Sequence, residues 1–121
     1  MTLPLTPNVV EAAYDYLRAT SPFKGWKLPP GDEVAFTVDC DRVNEAAHYV
    51  DGRARLHTIW ISAYNVETTD ALMQASAHEM IHAYQDGVLH TGSRRVHHNA
   101  AFIRLARSVC RYHGWDVRTF V

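Results

Sequence analysis

The chain has 121 residues, of which 47% are hydrophobic and 21% are charged, a balance typical of a folded globular protein and not of a disordered one. We therefore expect one domain spanning residues 1–121. The formal net charge of −1, with histidines neutral, excludes a general electrostatic attraction to nucleic acid. No apolar run approaches the roughly 18 to 20 residues that cross a bilayer, and the N-terminus lacks a signal-peptide pattern, so we expect a cytoplasmic monomer without a membrane partner.

A helix is predicted over about residues 7–19. Thr6 offers a capping hydroxyl, and Pro7 suits the first turn because its missing N–H would have no helical partner there. A loop punctuated by proline and glycine follows over residues 23–31. Apolar residues recur at helical spacing within the helix, at Val10, Ala13, Tyr14 and Leu17.

Three strands are predicted next. The segment EVAFTVD, residues 33–39, alternates apolar and polar residues as a half-buried strand does. In residues 45–62, EAAHYVDGRARLHTIWIS, the Asp51-Gly52 pair separates two β-favouring runs and is typical of a tight hairpin turn. We therefore expect a small antiparallel sheet of about three strands.

Two further helices are predicted after the sheet. Thr68 and Asp70 supply a cap and a first-turn acid for a helix that would end at Asp86-Gly87, where glycine can take the left-handed cap conformation. The last helix covers about residues 96–113, and Gly114 would end it. One helix, a small sheet and two more helices give the α+β class.

The segment ASAHEMIHAY, residues 75–84, holds two histidines four positions apart on the first of these two helices. His78 and His82 would stand on the same face, roughly 6 Å apart along the axis, so that both imidazoles can reach one metal ion. Glu79 would point about 100° round the helix, which suits a base acting on the activated water better than a ligand. This spacing predicts a catalytic Zn²⁺ site with Glu79 as the catalytic residue.

A catalytic zinc site needs a third protein ligand, and histidine is the expected donor. No glutamate follows Glu79, and Gln85 and Val88 stand where metzincin-like proteases need a glycine and a histidine. Four later histidines are candidates: His90, His97, His98 and His113. His98 is favoured because it continues the apolar stripe of the last helix, formed by Phe102, Leu105 and Val109. His97 is the main alternative.

The segment HEMIHAY, with His98 sixteen residues beyond its second histidine and Phe102 four residues later, resembles the SprT-like family, which includes the Spartan proteases acting on DNA–protein crosslinks. The strand HTIWIS before the metal helix is also similar to the family pattern, so the resemblance covers roughly residues 55–110. The chain differs at Asn99, where family members commonly have glycine.

This resemblance implies a zincin-like minimal core that binds zinc through His78, His82 and His98, with Glu79 as the general base. It also implies a core-only member without the C-terminal zinc ribbon or the DNA- and partner-binding tails of longer members, as a small genome such as a phage's could encode. Candidates for stabilising the oxyanion are not ranked by the sequence: Tyr64, Tyr84, Tyr112, His97 and His113.

The leading hypothesis is a zinc-dependent endopeptidase whose substrates are DNA-associated or DNA-crosslinked proteins. Two alternatives are a nucleic-acid-binding or scaffold module in which zinc is only structural, and a repressor-cleaving peptidase of the ImmA type. Any DNA binding is expected to be weak, and the arginines that could contribute to it could equally form a solvated face: Arg94, Arg95, Arg104, Arg107, Arg111 and Arg118.

Overall fold

The computed structural model describes residues 5–39, 47–50, 57–62, 66–89 and 98–121. Its helices are α1 (Pro7–Arg18), α2 (Thr69–Tyr84), α3 (Ala100–His113) and α4 (Val117–Phe120), and its strands are β1 (Val34–Asp39), β2 (Ala47–Val50) and β3 (His57–Ser62). Short 3-10 turns at Phe23–Gly25 and Gly31–Glu33 lead from α1 to β1, and a π-helical turn at Gln85–Leu89 continues α2. This order confirms the α+β class. In the described part of the chain, every helix is too short or too polar to cross a bilayer.

Helix α1 forms as its sequence predicts. The Thr6 side chain accepts a hydrogen bond from the Val9 N–H at 3.3 Å, and Pro7 occupies the first turn. The four apolar residues at helical spacing are all buried. The Tyr14 hydroxyl donates to the Pro29 carbonyl at 2.6 Å, which fastens the loop after α1 to the helix.

The sheet is mixed, so the prediction of an entirely antiparallel sheet is wrong. Its order is β1-β3-β2, with β3 antiparallel to β2 and parallel to β1. Val34 pairs with His57 on one side of β3, and Tyr49 pairs with Ile59 on the other. The alternation of polar and apolar residues does not specify which edge of the β2–β3 pair receives β1. The turn predicted at Asp51-Gly52 lies outside the described residues.

Helix α2 lies at the centre of the fold. The Thr68 side chain caps it by accepting a hydrogen bond from the Ala71 N–H at 3.0 Å. It contacts α1, α3, β2 and β3. Its buried apolar residues are distributed around the helix: Leu72, Ala77, Met80, Ile81 and Ala83. Because it is packed on several sides, α2 carries its polar side chains on a rigid support.

Two predicted helix boundaries are wrong. Helix α2 does not end at a left-handed Gly87, because the chain continues from Tyr84 into the π-helical turn. Helix α3 begins at Ala100 and not near residue 96, because the Asn99 side chain caps it by accepting from the Phe102 N–H at 2.9 Å. His98 therefore precedes α3 and does not belong to its apolar stripe. The predicted stop at Gly114 is confirmed, with a left-handed φ of 76°.

Candidate metal centre

Three histidine side chains meet beside the C-terminal half of α2. The ring centroids of His78 and His82, one helical turn apart, are separated by 5.2 Å. His98, just before α3, places its ring centroid 4.8 Å from that of His78 and 5.4 Å from that of His82. One ring nitrogen from each histidine lies within 4.8 Å of the other two, so the three side chains are close enough to hold a metal ion.

The Phe102 ring packs against all three histidine rings of this cluster. Its fully buried ring stacks on those of His82 and His98, at centroid distances of 4.6 Å and 4.4 Å. The ring of His78 lies 5.1 Å from it in a tilted arrangement. Packing against one rigid ring limits the rotation of all three imidazoles, because each alternative rotamer would lose this contact.

His78 makes a hydrogen bond that determines which of its nitrogens carries a proton. Its Nδ1 lies 2.9 Å from the Phe120 carbonyl oxygen. A carbonyl oxygen can only accept, so Nδ1 must be the donor and the neutral ring keeps a lone pair on Nε2. That Nε2 faces the Nε2 of His98 at 3.1 Å.

Burial lowers the pKa of His78 to about 4, against the opposing effect of the hydrogen bond to Phe120. The ring is therefore neutral at pH 7. Neutral imidazole is the form of histidine that binds a metal ion.

His98 is held beside α2 by the residue that follows it. The Asn99 side-chain oxygen accepts from the Phe102 N–H and also from Gln85 Nε2, at 3.2 Å. Gln85 is almost completely buried in the π-helical turn after α2. Asn99 thus joins the start of α3 to the end of α2 and brings His98 next to the other two histidines.

Glu79 follows His78 on α2, and only 3% of its surface is exposed. Glu79 is therefore not a solvated surface residue. Burying a carboxylate is costly unless other groups interact with it. The step of one residue turns it about 100° from His78 around the helix. The cluster among the described residues consists of the three histidines and does not include this carboxylate.

The other predicted site residues do not join this cluster where the structure describes them. His113 ends α3 with its Nε2 3.2 Å from the Thr20 hydroxyl, and burial lowers its pKa. Tyr84 stacks on Trp26 at 4.2 Å, whereas Tyr112 is 63% exposed. Arginines 104, 107, 111 and 118 are exposed. Several predicted residues lie outside the described ranges: Tyr64, His90, Arg94, Arg95 and His97.

Three residues that support the cluster were missed by the sequence analysis. Asn99 had a signal, because asparagine directly before an apolar periodic run is a common helix cap. Gln85 and the Phe120 carbonyl had none, since their contacts join segments that are distant in the sequence. Nothing in local residue patterns specifies such a contact.

Comparison with known proteins does not assign this chain to a group. A scan against models of protein families gives no match, and a search of curated proteins gives none either. Its function is therefore inferred from its residues and their geometry.

Proposed function

We propose that this protein is a zinc-dependent endopeptidase of the SprT-like type, built on a zincin-like minimal core. The observation that carries the proposal is the meeting of His78, His82 and His98 in one cluster. Two of these side chains come from a buried helix, and the third comes from a separate segment held in place by Asn99. Histidines that merely share a helix face would require no such third partner.

The donor set fits zinc. Imidazole is a preferred zinc ligand, and three protein ligands with one open position are typical of catalytic zinc sites, whereas structural sites are closed by four. The contact between His78 Nδ1 and a carbonyl is the kind that metal-binding histidines usually make through their second nitrogen. A zinc ion held there would supply a Lewis acid that polarises the scissile carbonyl and lowers the pKa of water toward about 7.

Glu79 is the proposed general base. Its carboxylate would accept a proton from the water that attacks the carbonyl carbon, and would deliver that proton to the amine nitrogen as the C–N bond breaks. The burial of Glu79 supports this role, because packing restricts the directions that its carboxylate can take. His78, His82 and His98 would hold the ion throughout and transfer no proton.

Proteins associated with or crosslinked to DNA are the proposed substrates. The support is the resemblance of HEMIHAY, His98 and Phe102 to the SprT-like pattern. The exposed arginines of α3 add to it, because Arg104, Arg107 and Arg111 recur at helical spacing and can contact phosphates. A repressor-cleaving peptidase of the ImmA type would use the same chemistry on a different substrate.

A second candidate function is a nucleic-acid-binding or scaffold module that zinc only stabilises. The observation in its favour is the same exposed arginine set on α3. The absence of a fourth donor from the cluster, among the residues that the structure describes, favours catalysis instead. The two candidates differ most clearly in what they require of Glu79.

The substitution Glu79→Gln separates these functions. Glutamine retains the size and the helix preference of glutamate but cannot act as a base at neutral pH. We expect zinc content and folding to be retained, and peptide-bond cleavage to fall by the roughly 10²- to 10⁴-fold typical of losing a general base. Zinc would be measured by elemental analysis, and cleavage with crosslinked and free protein substrates, with and without single-stranded DNA.

Glu67→Gln is the matched control. Glu67 is exposed and lies just before α2, so this substitution makes the same chemical change at a position away from the histidines. Its activity should equal that of the parent. Equal cleavage by the parent and Glu79→Gln would exclude Glu79 as the base. Loss of zinc from Glu79→Gln would make this carboxylate part of the metal site and would favour the scaffold function.

A further inference from the structure

The Trp115–Phe120 segment connects the start of α2 to the histidine cluster. Trp115 Nε1 donates to Asp70 Oδ1, in the first turn of α2, at 3.2 Å. The Trp115 ring stacks on the Phe120 ring with centroids 5.8 Å apart. The buried Phe120 ring in turn lies 5.7 Å from the ring of His78. The segment is therefore anchored at both of its ends against α2.

Within this segment, the backbone of α4 is arranged so that one carbonyl reaches His78. The Asp116 side chain caps α4 by accepting from the Arg118 N–H at 2.9 Å. The N–H groups of Phe120 and Val121 bond back to the Asp116 and Val117 carbonyls. The Phe120 carbonyl is thus held at the end of the turn, where it accepts from His78 Nδ1.

We propose that the Trp115–Phe120 segment is a positioning element of the metal centre, in which the Phe120 carbonyl holds His78 in its Nδ1–H tautomer and aims Nε2 at the ion. This inference rests on the metal site proposed above and goes beyond it. Neither the HExxH spacing nor the family resemblance includes these residues. The Phe120 side chain acts indirectly, because its burial fixes the position of the backbone carbonyl of the same residue.

The tautomer is the chemical basis of this role. An imidazole with its proton on Nε2 cannot bind a metal ion through Nε2, so the ring would first have to move its proton or turn over. The hydrogen bond to the carbonyl removes this step before the ion arrives. It also raises the electron density at Nε2, and losing such a supporting contact typically costs about 10- to 100-fold in metal affinity.

The test compares zinc affinity in three variants of the 121-residue chain by competition with a chromophoric chelator. Phe120→Ala removes the buried anchor and should weaken zinc binding by about 10- to 100-fold. Phe120→Leu keeps most of the buried volume and should restore most of the affinity. Thr119→Ala is the control, because exposed Thr119 lies on the same turn and its hydroxyl donates to the Asp116 carbonyl.

A second measurement reads the tautomer directly and needs no metal. In metal-free protein at pH 7.5, nitrogen chemical shifts of the His78 ring should show a proton on Nδ1 in the parent and in Thr119→Ala. In Phe120→Ala we expect a mixture of both tautomers. A purely structural role for Phe120 would lower stability without changing this ratio.

Asp116→Ala keeps the inference testable if Phe120→Ala does not fold. Asp116 is exposed, so its loss should loosen the cap of α4 and leave the core intact. Zinc affinity should fall in this variant also, by less than in Phe120→Ala, and the tautomer ratio should shift in the same direction.

The outcomes distinguish this inference from the proposed function. If His78→Ala loses zinc while folded Phe120→Ala or Asp116→Ala binds it as tightly as the parent, the metal site stands and the positioning role is wrong. If the parent binds no zinc, the proposed function fails, and the tautomer measurement alone decides whether Phe120 orients His78. An Nε2–H tautomer in the metal-free parent would overturn the inference whatever the affinities.

Discussion

At the scale of single residues, the three histidines of the cluster are supported in different ways. His78 and His82 are half-buried on α2, whereas His98 is exposed and lies before the cap of α3. His98 therefore contributes little to the core, and its ring is held by stacking on Phe102 and by the approach to His78. Replacing it should affect metal binding far more than folding.

We predict that His98→Ala weakens zinc binding by more than the roughly 10- to 100-fold that the loss of a supporting hydrogen bond costs, because a ligand itself is removed. Far-UV circular dichroism of the metal-free variant should match that of the parent. The measurement is zinc affinity by chelator competition. His97→Ala is the matched control and should bind zinc like the parent. The reverse order of the two variants would identify His97 as the third ligand.

At the scale of elements, the sequence predicts those features that depend on residues close together in the chain, and it does not predict those that depend on contacts between distant segments. The start of α1 and the stop at Gly114 depend on residues within one turn, and both were predicted correctly. The edge at which β1 pairs depends on contacts between distant segments, and the predicted antiparallel arrangement was wrong. Local patterns do not contain that information.

The histidine cluster also has one part that depends on local sequence and one part that depends on contacts between distant segments. The spacing of His78 and His82 is a local property of a helix, and it predicted their proximity. His98 was chosen because it would continue the apolar stripe of α3, but it precedes that helix and reaches the cluster through the cap at Asn99. His98 does lie in the cluster, but the expectation that it continues the apolar stripe of α3 is wrong.

A prediction at this scale concerns the Asn99 cap. In metal-free protein, Asn99→Ala should lower the free energy of unfolding by about 1 kcal/mol for the lost cap, with a further cost because buried Gln85 loses an acceptor. Asn99→Asp keeps an oxygen for both donors and should retain most of the stability. Urea denaturation with a chelator present would measure both variants. Equal unfolding midpoints for Asn99→Ala and the parent would contradict this role.

At the scale of the whole molecule, the C-terminal part of the chain connects α1 to α2, the helix that carries His78 and His82. The Thr20 hydroxyl, just after α1, lies 3.2 Å from Nε2 of His113 at the end of α3. The His113 ring stacks on Trp115, which bonds to α2 through Asp70. We therefore expect a change at His113 to alter the free energy of unfolding of the whole domain and not only the stability of α3.

The last prediction is a pH dependence of this stability. Burial lowers the pKa of His113 below its usual 6.5, so the folded protein holds this proton more weakly than the unfolded chain does. Below about pH 6.5 the unfolded chain takes up more protons, and the free energy of unfolding falls as the pH falls toward the folded-state pKa. Full stability from this group is present above that window.

His113→Gln removes the titrating ring and places an amide nitrogen near the position of Nε2. We expect a smaller loss of stability below about pH 6.5 than in the parent, measured by urea denaturation at several pH values with a chelator present. The chelator is essential, because histidines that bind zinc would add their own acid sensitivity. His78 has a lowered pKa of the same sign and should leave a residual slope in the variant. If the parent and His113→Gln lose stability in parallel over this range, the burial of His113 does not couple its protonation to folding.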